Sequence, residues 1–167
     1  VDRAFAKGTI LRTHVLRPTW HLVHRDDLRW LQRLSGPRVL ATMGRRHREL
    51  GLDGPTLRRA TDVIVQALQA GGHHLTRPEL GEALRAAGID TAGQRLPHIL
   101  MFAEMESAVC SGIPRGTSQT YALFDERVPP GVPFEGEEAL RELARRYFVS
   151  HGPATELDFR WWSSLRA

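Results

Sequence analysis

The sequence predicts a mainly α-helical fold with small β-hairpins, of the α+β class. Apolar residues recur at helical spacing in several runs, which indicates amphipathic helices. Short segments rich in β-branched and aromatic residues, bounded by glycine or proline, indicate paired strands. These patterns divide the chain into three blocks, at residues 1–52, 53–128 and 129–167.

The middle block, residues 53–128, has the clearest order of elements. Its first helix covers 57–70, and its second begins at Thr76, where Glu79 completes a capping-box pattern. A third helix and a two-stranded hairpin are predicted to follow, over residues 94–109, 109–111 and 119–124. Three helices followed by a hairpin are typical of a complete winged helix-turn-helix unit, whose usual ligand is DNA.

The first block, residues 1–52, is predicted to be the end of an earlier unit, with its wing strands and linking helices. Segments 9–15 and 19–24 predict two strands. A helix is expected to begin at the acidic pair that follows and to end at Ser35-Gly36-Pro37, because a glycine followed by proline usually ends a helix. A separate basic helix is expected over 38–50.

The third block, residues 129–167, repeats the opening of the middle block. After a proline-rich linker a helix is predicted over 137–150, and Thr155 can cap a further short helix. We interpret this block as the start of a third unit, which makes the architecture tandem winged helix-turn-helix units truncated at both ends. Because the chain begins with Val1 rather than Met and stops within a helical pattern at 166–167, we expect a piece of a longer protein.

Composition narrows the classes of function. The 167 residues are 41% hydrophobic and 25% charged, which allows a buried core, and no apolar stretch predicts a membrane span or a membrane partner. The formal net charge is +4, and a single lysine, Lys7, accompanies the arginines. Arginine suits phosphates and guanine edges, although a GC-rich coding sequence favours it whatever the function.

The cysteine and histidine patterns argue against disulfides and metal sites. Cys110 is the only cysteine, which excludes an intrachain disulfide and a cysteine-based zinc site. A reducing cytoplasm, with association to the nucleoid, is therefore the expected location. His21, His24 and the pair His73-His74 have no further ligands at metal-binding spacing, so no metal is predicted.

Several segments resemble a known family. They are RTHVLRPTWHLV at residues 12–23, RYFVSHGPAT at 146–155 and DFRWWS at 158–163, with Leu75-Thr76-Arg77 and residues 120–123 between them in the matching order. Together they resemble the AlkZ/YcaQ-like winged-helix proteins over nearly the whole chain. The resemblance implies tandem winged helices, double-stranded DNA as the partner, damaged in some cases, and no cofactor. Some members are DNA repair glycosylases that remove bulky alkylated bases and unhook interstrand crosslinks.

The resemblance also implies where the catalytic element lies. In the family it is a Gln-x-Gln or Gln-x-Asp motif placed before the region seen here. This chain holds no such motif, since Gln66 and Gln69 are three apart within a predicted helix. The resemblance therefore implies a glycosylase parent and a piece without its key chemistry, so whether the chain is an enzyme stays open. The alternatives are a non-catalytic or transcription-related DNA-binding module and a structural winged helix without DNA contact.

Arg17, Thr19 and His21 alternate along a predicted strand, so their side chains are expected to form one polar cluster on one face. A guanidinium, a hydroxyl and an imidazole can together hold a phosphate or steady an abasic sugar, which makes them supporting candidates for catalysis. The alternative is that they only satisfy local hydrogen bonds while Trp20 and Leu22, on the opposite face, fill the core.

The candidates for DNA contact come from the predicted recognition helix, the wing loop and a basic run. Their side chains can reach phosphates or base edges. They are Arg45, Arg46, Arg48, Arg77, Gln94, Arg95, His98, Arg115, Thr117 and Ser118. Glu104 and Glu106 argue against contact by the second half of the recognition helix, because DNA repels carboxylates. For the wing and the basic run the alternatives are a solvated turn and a solvated face.

The aromatic segment 159–162 predicts a docking contact near the end of the chain. Aromatic side chains bury roughly 150–250 Å² each, which is too much apolar surface to leave in water. We expect the segment to dock onto residues 1–52, where Trp30 and Leu34 offer apolar partners, or onto a second copy of the chain by self-association.

Overall fold

A computed structural model of the chain describes residues 2–71, 73–131 and 134–165. Its first elements are α1 (Asp2–Ala6), β1 (Ile10–Val15), β2 (Arg17–His24) and α2 (Arg25–Glu49). The middle elements are α3 (Gly54–Gln69), β3 (Leu75–Thr76), α4 (Arg77–Ala86), α5 (Arg95–Met105), β4 (Val109–Ser111) and β5 (Thr120–Leu123). The last are α6 (Phe124–Arg127), α7 (Gly136–His151) and α8 (Glu156–Ser163). Helices with small antiparallel sheets confirm the predicted α+β class.

β1 and β2 form an antiparallel hairpin, with Arg12 opposite Leu22 and His14 opposite Trp20. Directly opposite side chains of such a pair lie on the same face. The other face of β1 carries the buried side chains of Leu11, Thr13 and Val15. One face of the hairpin therefore packs into the core, and the second presents Arg12, His14 and Trp20.

α2 is one continuous helix, where the sequence predicted two helices separated at a Gly-Pro step. That prediction is wrong, because tertiary contacts keep the backbone helical across the step. The Ser35 hydroxyl donates to the Leu31 carbonyl at 2.7 Å and accepts from the Leu16 N–H at 3.0 Å. A Cβ at Gly36 would lie 3.3 Å from the Met105 carbonyl oxygen, so the glycine lets α2 pass close to the end of α5.

The middle elements form a three-stranded antiparallel sheet, in the order β3-β5-β4, packed against three helices. The predicted capping box at the start of α4 is present, with the Thr76 N–H donating to the Glu79 carboxylate at 2.6 Å. α5 ends at Met105, earlier than predicted, because the backbone turns at Ser107, where φ is 55°. The core of these elements includes Leu57, Ile64, Leu80, Leu84, Ile99 and Tyr121.

α7 and α8 pack against the β1–β2 hairpin and the first half of α2. Phe159 is buried and Trp162 partly buried in a core that they share with Trp30. The Arg17 guanidinium donates to the carbonyl oxygens of Trp161, at 3.1 Å, and of Trp162. The aromatic segment therefore docks onto the first block as predicted, although the Trp161 side chain is 78% exposed.

Neither a membrane span nor a metal cluster occurs in the described residues. No helix there combines the length and the apolar character needed to cross a membrane. No group of three or more His, Cys, Asp or Glu side chains there is placed to hold a metal ion. The helical end predicted at residues 166–167 lies outside the described residues.

Candidate nucleic-acid interface

A cavity lies where the second face of the β1–β2 hairpin meets α4 and α5. Its volume is about 360 Å³. His14 and Trp20 line it from the hairpin, while Arg77 and His98 line it from the first turns of α4 and α5. The hairpin is held in this position by β4, where the Ser111 hydroxyl accepts a hydrogen bond from a β1 N–H at 2.9 Å.

Trp20 is the aromatic wall of this cavity and is 42% exposed. The guanidinium carbon of Arg12 lies 4.0 Å from the centre of its ring, and that of Arg77 lies 5.5 Å away. The His14 imidazole is also close, with 5.3 Å between ring centres. Because an indole ring attracts cations to its face, the tryptophan holds two positive charges at the cavity.

Glu104 fixes the position of His14 through a buried network. Its Oε2 atom accepts hydrogen bonds from the Thr13 hydroxyl at 3.2 Å and from the His14 N–H at 2.9 Å, and lies 2.6 Å from His14 Nδ1. The Gln32 amide donates to the Glu104 carbonyl oxygen at 2.8 Å, which connects β1, α2 and α5. With the carboxylate as acceptor, Nδ1 is the ring nitrogen that donates in this contact.

His47 and His98 form a second pair, in T-shaped contact with 5.3 Å between ring centres. Burial lowers the pKa of both imidazoles below the ordinary histidine value. The charge of Arg46 lowers the pKa of His98 further, and the proximity of His98 does the same for His47. The neutral form of both rings is therefore favoured in the folded chain.

A smaller cleft, of about 250 Å³, continues from the cavity toward the loop between β4 and β5. Arg77 and Tyr121 line both spaces, and Arg12, Ser118 and Gln119 line the smaller one. Burial raises the pKa of the Tyr121 phenol, which keeps its hydroxyl available as a donor. We call the two spaces together the hairpin cleft, which runs from the β1–β2 hairpin to the β4–β5 loop.

A family model of the AlkZ-like DNA glycosylases matches residues 1–167. The chain belongs to the AlkZ-like DNA glycosylase family. Among solved structures, Streptomyces sahachiroi DNA glycosylase AlkZ has a similar fold, with a TM-score of 0.66 and 20% identity over 98% of this chain and 49% of that one. The chain thus spans about half the length of that structure. No curated protein matches the chain.

Three residues predicted to contact DNA line the hairpin cleft of this AlkZ-like chain. Arg77 and His98 border the larger cavity, and Arg77 and Ser118 border the smaller space. Thr117 is exposed beside Ser118 at the tip of the β4–β5 loop. The structure therefore brings together residues that lie far apart in the sequence.

The basic run at the end of α2 lies close to the start of α5. The Arg46 guanidinium donates to the Gln94 side chain at 2.6 Å and to the Glu49 carboxylate at 2.9 Å. Arg45 also binds Glu49, at 3.0 Å, and Arg48 is exposed. Glu49 thus offsets part of the charge of this run, and DNA contact by Arg45, Arg46, Arg48 and Gln94 stays a prediction.

Arg95 and Arg115 bind other parts of the protein. Arg95, whose side chain is only 18% exposed, donates to the Leu50 carbonyl and so ties α5 to the end of α2. Arg115 donates to the Glu79 carboxylate and to the His74 carbonyl, both at 2.7 Å. These bonds give both arginines a structural role, and their contact with DNA is untested.

Arg17 and His21 lie on the hairpin face opposite Trp20, since they are paired with Val15 and Thr13, whereas Thr19 lies where the register of the hairpin is irregular. His21 Nδ1 is 2.9 Å from the Thr19 carbonyl oxygen, and burial lowers the pKa of His21, with the Arg17 charge as a smaller cause. Trp20 and Leu22 are 42% and 61% exposed, so the alternative that they fill the core is wrong. A supporting catalytic role for the three polar residues stays a prediction.

Sequence reasoning missed four residues of the hairpin cleft and its support: Arg12, His14, Trp20 and Glu104. Period-two spacing of Arg12 and His14 along β1 was the available signal, since it places both on the face of Trp20. The sequence predicted only that Glu104 disfavours DNA contact by the second half of the predicted recognition helix. The structure adds that its side chain is buried against β1 and bound to His14.

Proposed function

We propose that the chain is the DNA-binding part of a DNA repair glycosylase, and that the hairpin cleft is the surface that meets double-stranded DNA. The main support is the arrangement of charge in the cleft. The guanidinium carbons of Arg12 and Arg77 lie 4.0 and 5.5 Å from the centre of the Trp20 ring, in a concave surface. Contacts between arginine and phosphate supply much of the affinity of DNA-binding proteins. None of the described residues lining the two spaces is acidic, which suits a polyanion.

The arrangement of the middle elements supports a winged helix-turn-helix assignment. α3, α4 and α5 precede the β4–β5 hairpin, and β3 joins the same sheet. In this assignment α5 is the recognition helix and residues 112–119 form the wing loop, with His98 and Ser118 bordering the cleft from these two elements. Residues 1–52 and 129–167 then belong to neighbouring units of the same kind.

Further contacts are proposed on both sides of the cleft. Arg45, Arg46, Arg48 and Gln94 extend the positive surface along the ends of α2 and α5. The wing contributes Thr117 and Arg115, provided that Arg115 exchanges its bond with Glu79 for one with a phosphate. That exchange is feasible because both side chains are solvent-exposed, and exposed ion pairs are weak.

For the whole protein we propose removal of alkylated or crosslinked bases, with Arg17, Thr19 and His21 as supporting groups. A non-catalytic DNA-binding module is the second candidate, and the absence of a Gln-x-Gln or Gln-x-Asp pair from the sequence favours it for this chain. Incubation with a duplex that carries an alkylated base separates the two. Release of the base by the chain alone would show that it holds its own catalytic groups.

Binding to an undamaged duplex at several salt concentrations tests the DNA-binding proposal. The logarithm of affinity should fall linearly with the logarithm of salt concentration, with a slope of about −0.9 per phosphate contact. Arg12→Gln and Arg77→Gln are each expected to reduce the magnitude of that slope by about 0.9 if each arginine contacts one phosphate. The matched control is Arg160→Gln, on the exposed surface of α8, where Arg160 pairs with Glu156.

Two results would refute this assignment. One is an affinity that does not change with salt, because a phosphate-binding surface must release counterions. The other is a pair of cleft variants that behave like Arg160→Gln. In that case the charges of the hairpin cleft would contribute nothing to DNA binding.

A further inference from the structure

The position of Trp20 calls for an explanation in terms of a ligand. Trp20 stays 42% exposed although the guanidinium carbon of Arg12 lies 4.0 Å from the centre of its ring, so its neighbours cover the residue only in part. The ring belongs to the wall of a cavity rather than to a convex surface. A partly exposed aromatic side chain in a concave, mostly apolar site is a common feature of sites that bind planar ligands.

The other walls of the cavity suit a flat aromatic ring with polar edges. Pro18, Pro97, Met43 and Met101 provide apolar contact, and polarizable methionine adapts its shape to a ligand. His14, His98 and Tyr121 provide polar atoms around the same space, which is enough for a few edge contacts. A volume of about 360 Å³ is at the lower end of the range for small-molecule sites, which fits one base better than a large ligand.

The charges around the ring favour a base that is carried by a nucleic acid strand. Arg12 and Arg77 flank Trp20, and an arginine can bind a phosphate while its plane stacks on a ring. Glu104 lies close to the cavity, but its carboxylate is buried and accepts hydrogen bonds from β1, which offset part of its charge there. A base with a phosphate on each side matches this placement of two arginines beside one aromatic ring.

We propose that the larger cavity of the hairpin cleft binds one unpaired nucleobase of a DNA strand, stacked on Trp20, with Arg12 and Arg77 holding the neighbouring phosphates. The proposal rests on the proposed DNA-binding function and adds the class of structure that is recognised. A base inside a duplex presents only its edges in the grooves. The cavity therefore selects a bulged or extrahelical base, whose faces are free.

A bulged duplex tests the proposal directly. Its probe is a duplex with a single unpaired 2-aminopurine, and its reference is the fully paired duplex of the same length and charge. Stacking on one aromatic side chain should make binding to the bulged duplex between about five- and 150-fold tighter. Binding should also quench the fluorescence of 2-aminopurine, because stacking quenches it.

The variants separate stacking from structural effects. Trp20→Ala is expected to abolish the preference for the bulge, measured as the ratio of the two duplex affinities within the same variant, because Trp20 lines the cavity and is not part of either large core. Trp20→Phe, which keeps a ring, should retain most of the preference. The matched control is Trp161→Ala, because Trp161 is also exposed and also lies under an arginine, with Arg17 5.4 Å from its ring.

Each possible failure has a separate meaning. Equal binding of the two duplexes by the wild-type chain, or an unchanged preference in Trp20→Ala, overturns the stacking proposal while DNA binding stands. No binding to either duplex overturns the proposed function as well. Competition by free deoxyadenosine monophosphate as strong as by the bulged duplex would contradict recognition of a strand, because the flanking phosphates would then contribute nothing.

Discussion

Replacing Glu104 with alanine tests the network that joins the β1–β2 hairpin to α5. The Glu104 residue is 1% exposed, and its Oε2 atom binds the Thr13 hydroxyl and both the backbone N–H and the Nδ1 of His14. Alanine removes the acceptor and leaves these groups without their partner in a region that is mostly buried. The hairpin would keep its apolar contacts but lose its main polar connection to α5.

The expected loss of stability follows from the number of donors that lose Glu104 as their acceptor. An unsatisfied buried donor costs about 1–3 kcal/mol, and three such groups in one network do not add fully because they share partners. With three donors affected, we expect Glu104→Ala to lower the free energy of unfolding by about 3–5 kcal/mol, and the melting temperature by about 6–20 °C.

Urea denaturation followed by circular dichroism measures this loss. The matched control is Glu106→Ala at the exposed end of the same helix, which should change the free energy of unfolding by less than about 0.5 kcal/mol. Glu104→Gln keeps one acceptor oxygen and is expected to cost less than alanine. A Glu104→Ala variant within about 1 kcal/mol of the wild type would refute the reasoning, since the network would then carry little free energy.

Three further predictions concern the helix caps and the buried titratable groups. Thr155→Ala should lower the free energy of unfolding by about 1 kcal/mol in urea denaturation, because Thr155 caps α8; unchanged stability would contradict the role of the cap. Because burial lowers the pKa of His47 and His98 in the folded chain, the unfolded chain binds protons first as pH falls. The stability of the fold should therefore be unaffected by these two histidines above about pH 6.5 and should fall below it. In thermal melts, the melting temperature of His98→Gln should drop less between pH 7.5 and 5.5 than that of the wild type. Burial raises the pKa of Cys110 to about 12, so a thiol reagent at pH 8 should react only on unfolding; rapid reaction of the native chain would show that the thiol is accessible.

The elements that the sequence predicts well are those whose determinants are local. The helices of the middle block follow from apolar spacing within each segment. The cap at Thr76 depends on a partner only three residues away, at Glu79, and the cap at Thr155 depends likewise on Asp158. The resemblance to the AlkZ-like family also depends on short segments such as residues 12–23. Contacts at this range form in the same way whatever the rest of the chain does.

Other features depend on contacts between residues distant in the sequence, and these only the tertiary structure decided. α2 continues through Gly36 and Pro37 because Leu16 binds Ser35 and because α5 passes beside the glycine. Glu104 faces inward because β1 offers three hydrogen-bonding groups to it, ninety residues away in the chain. The alternation of side chains along β2 predicts only that Trp20 lies on one face of the hairpin. The packing of the hairpin on β4 decides that this face meets α4 and α5. Local propensity acts over a few residues, whereas the free energy of these choices comes from burial and hydrogen bonds formed across the whole fold.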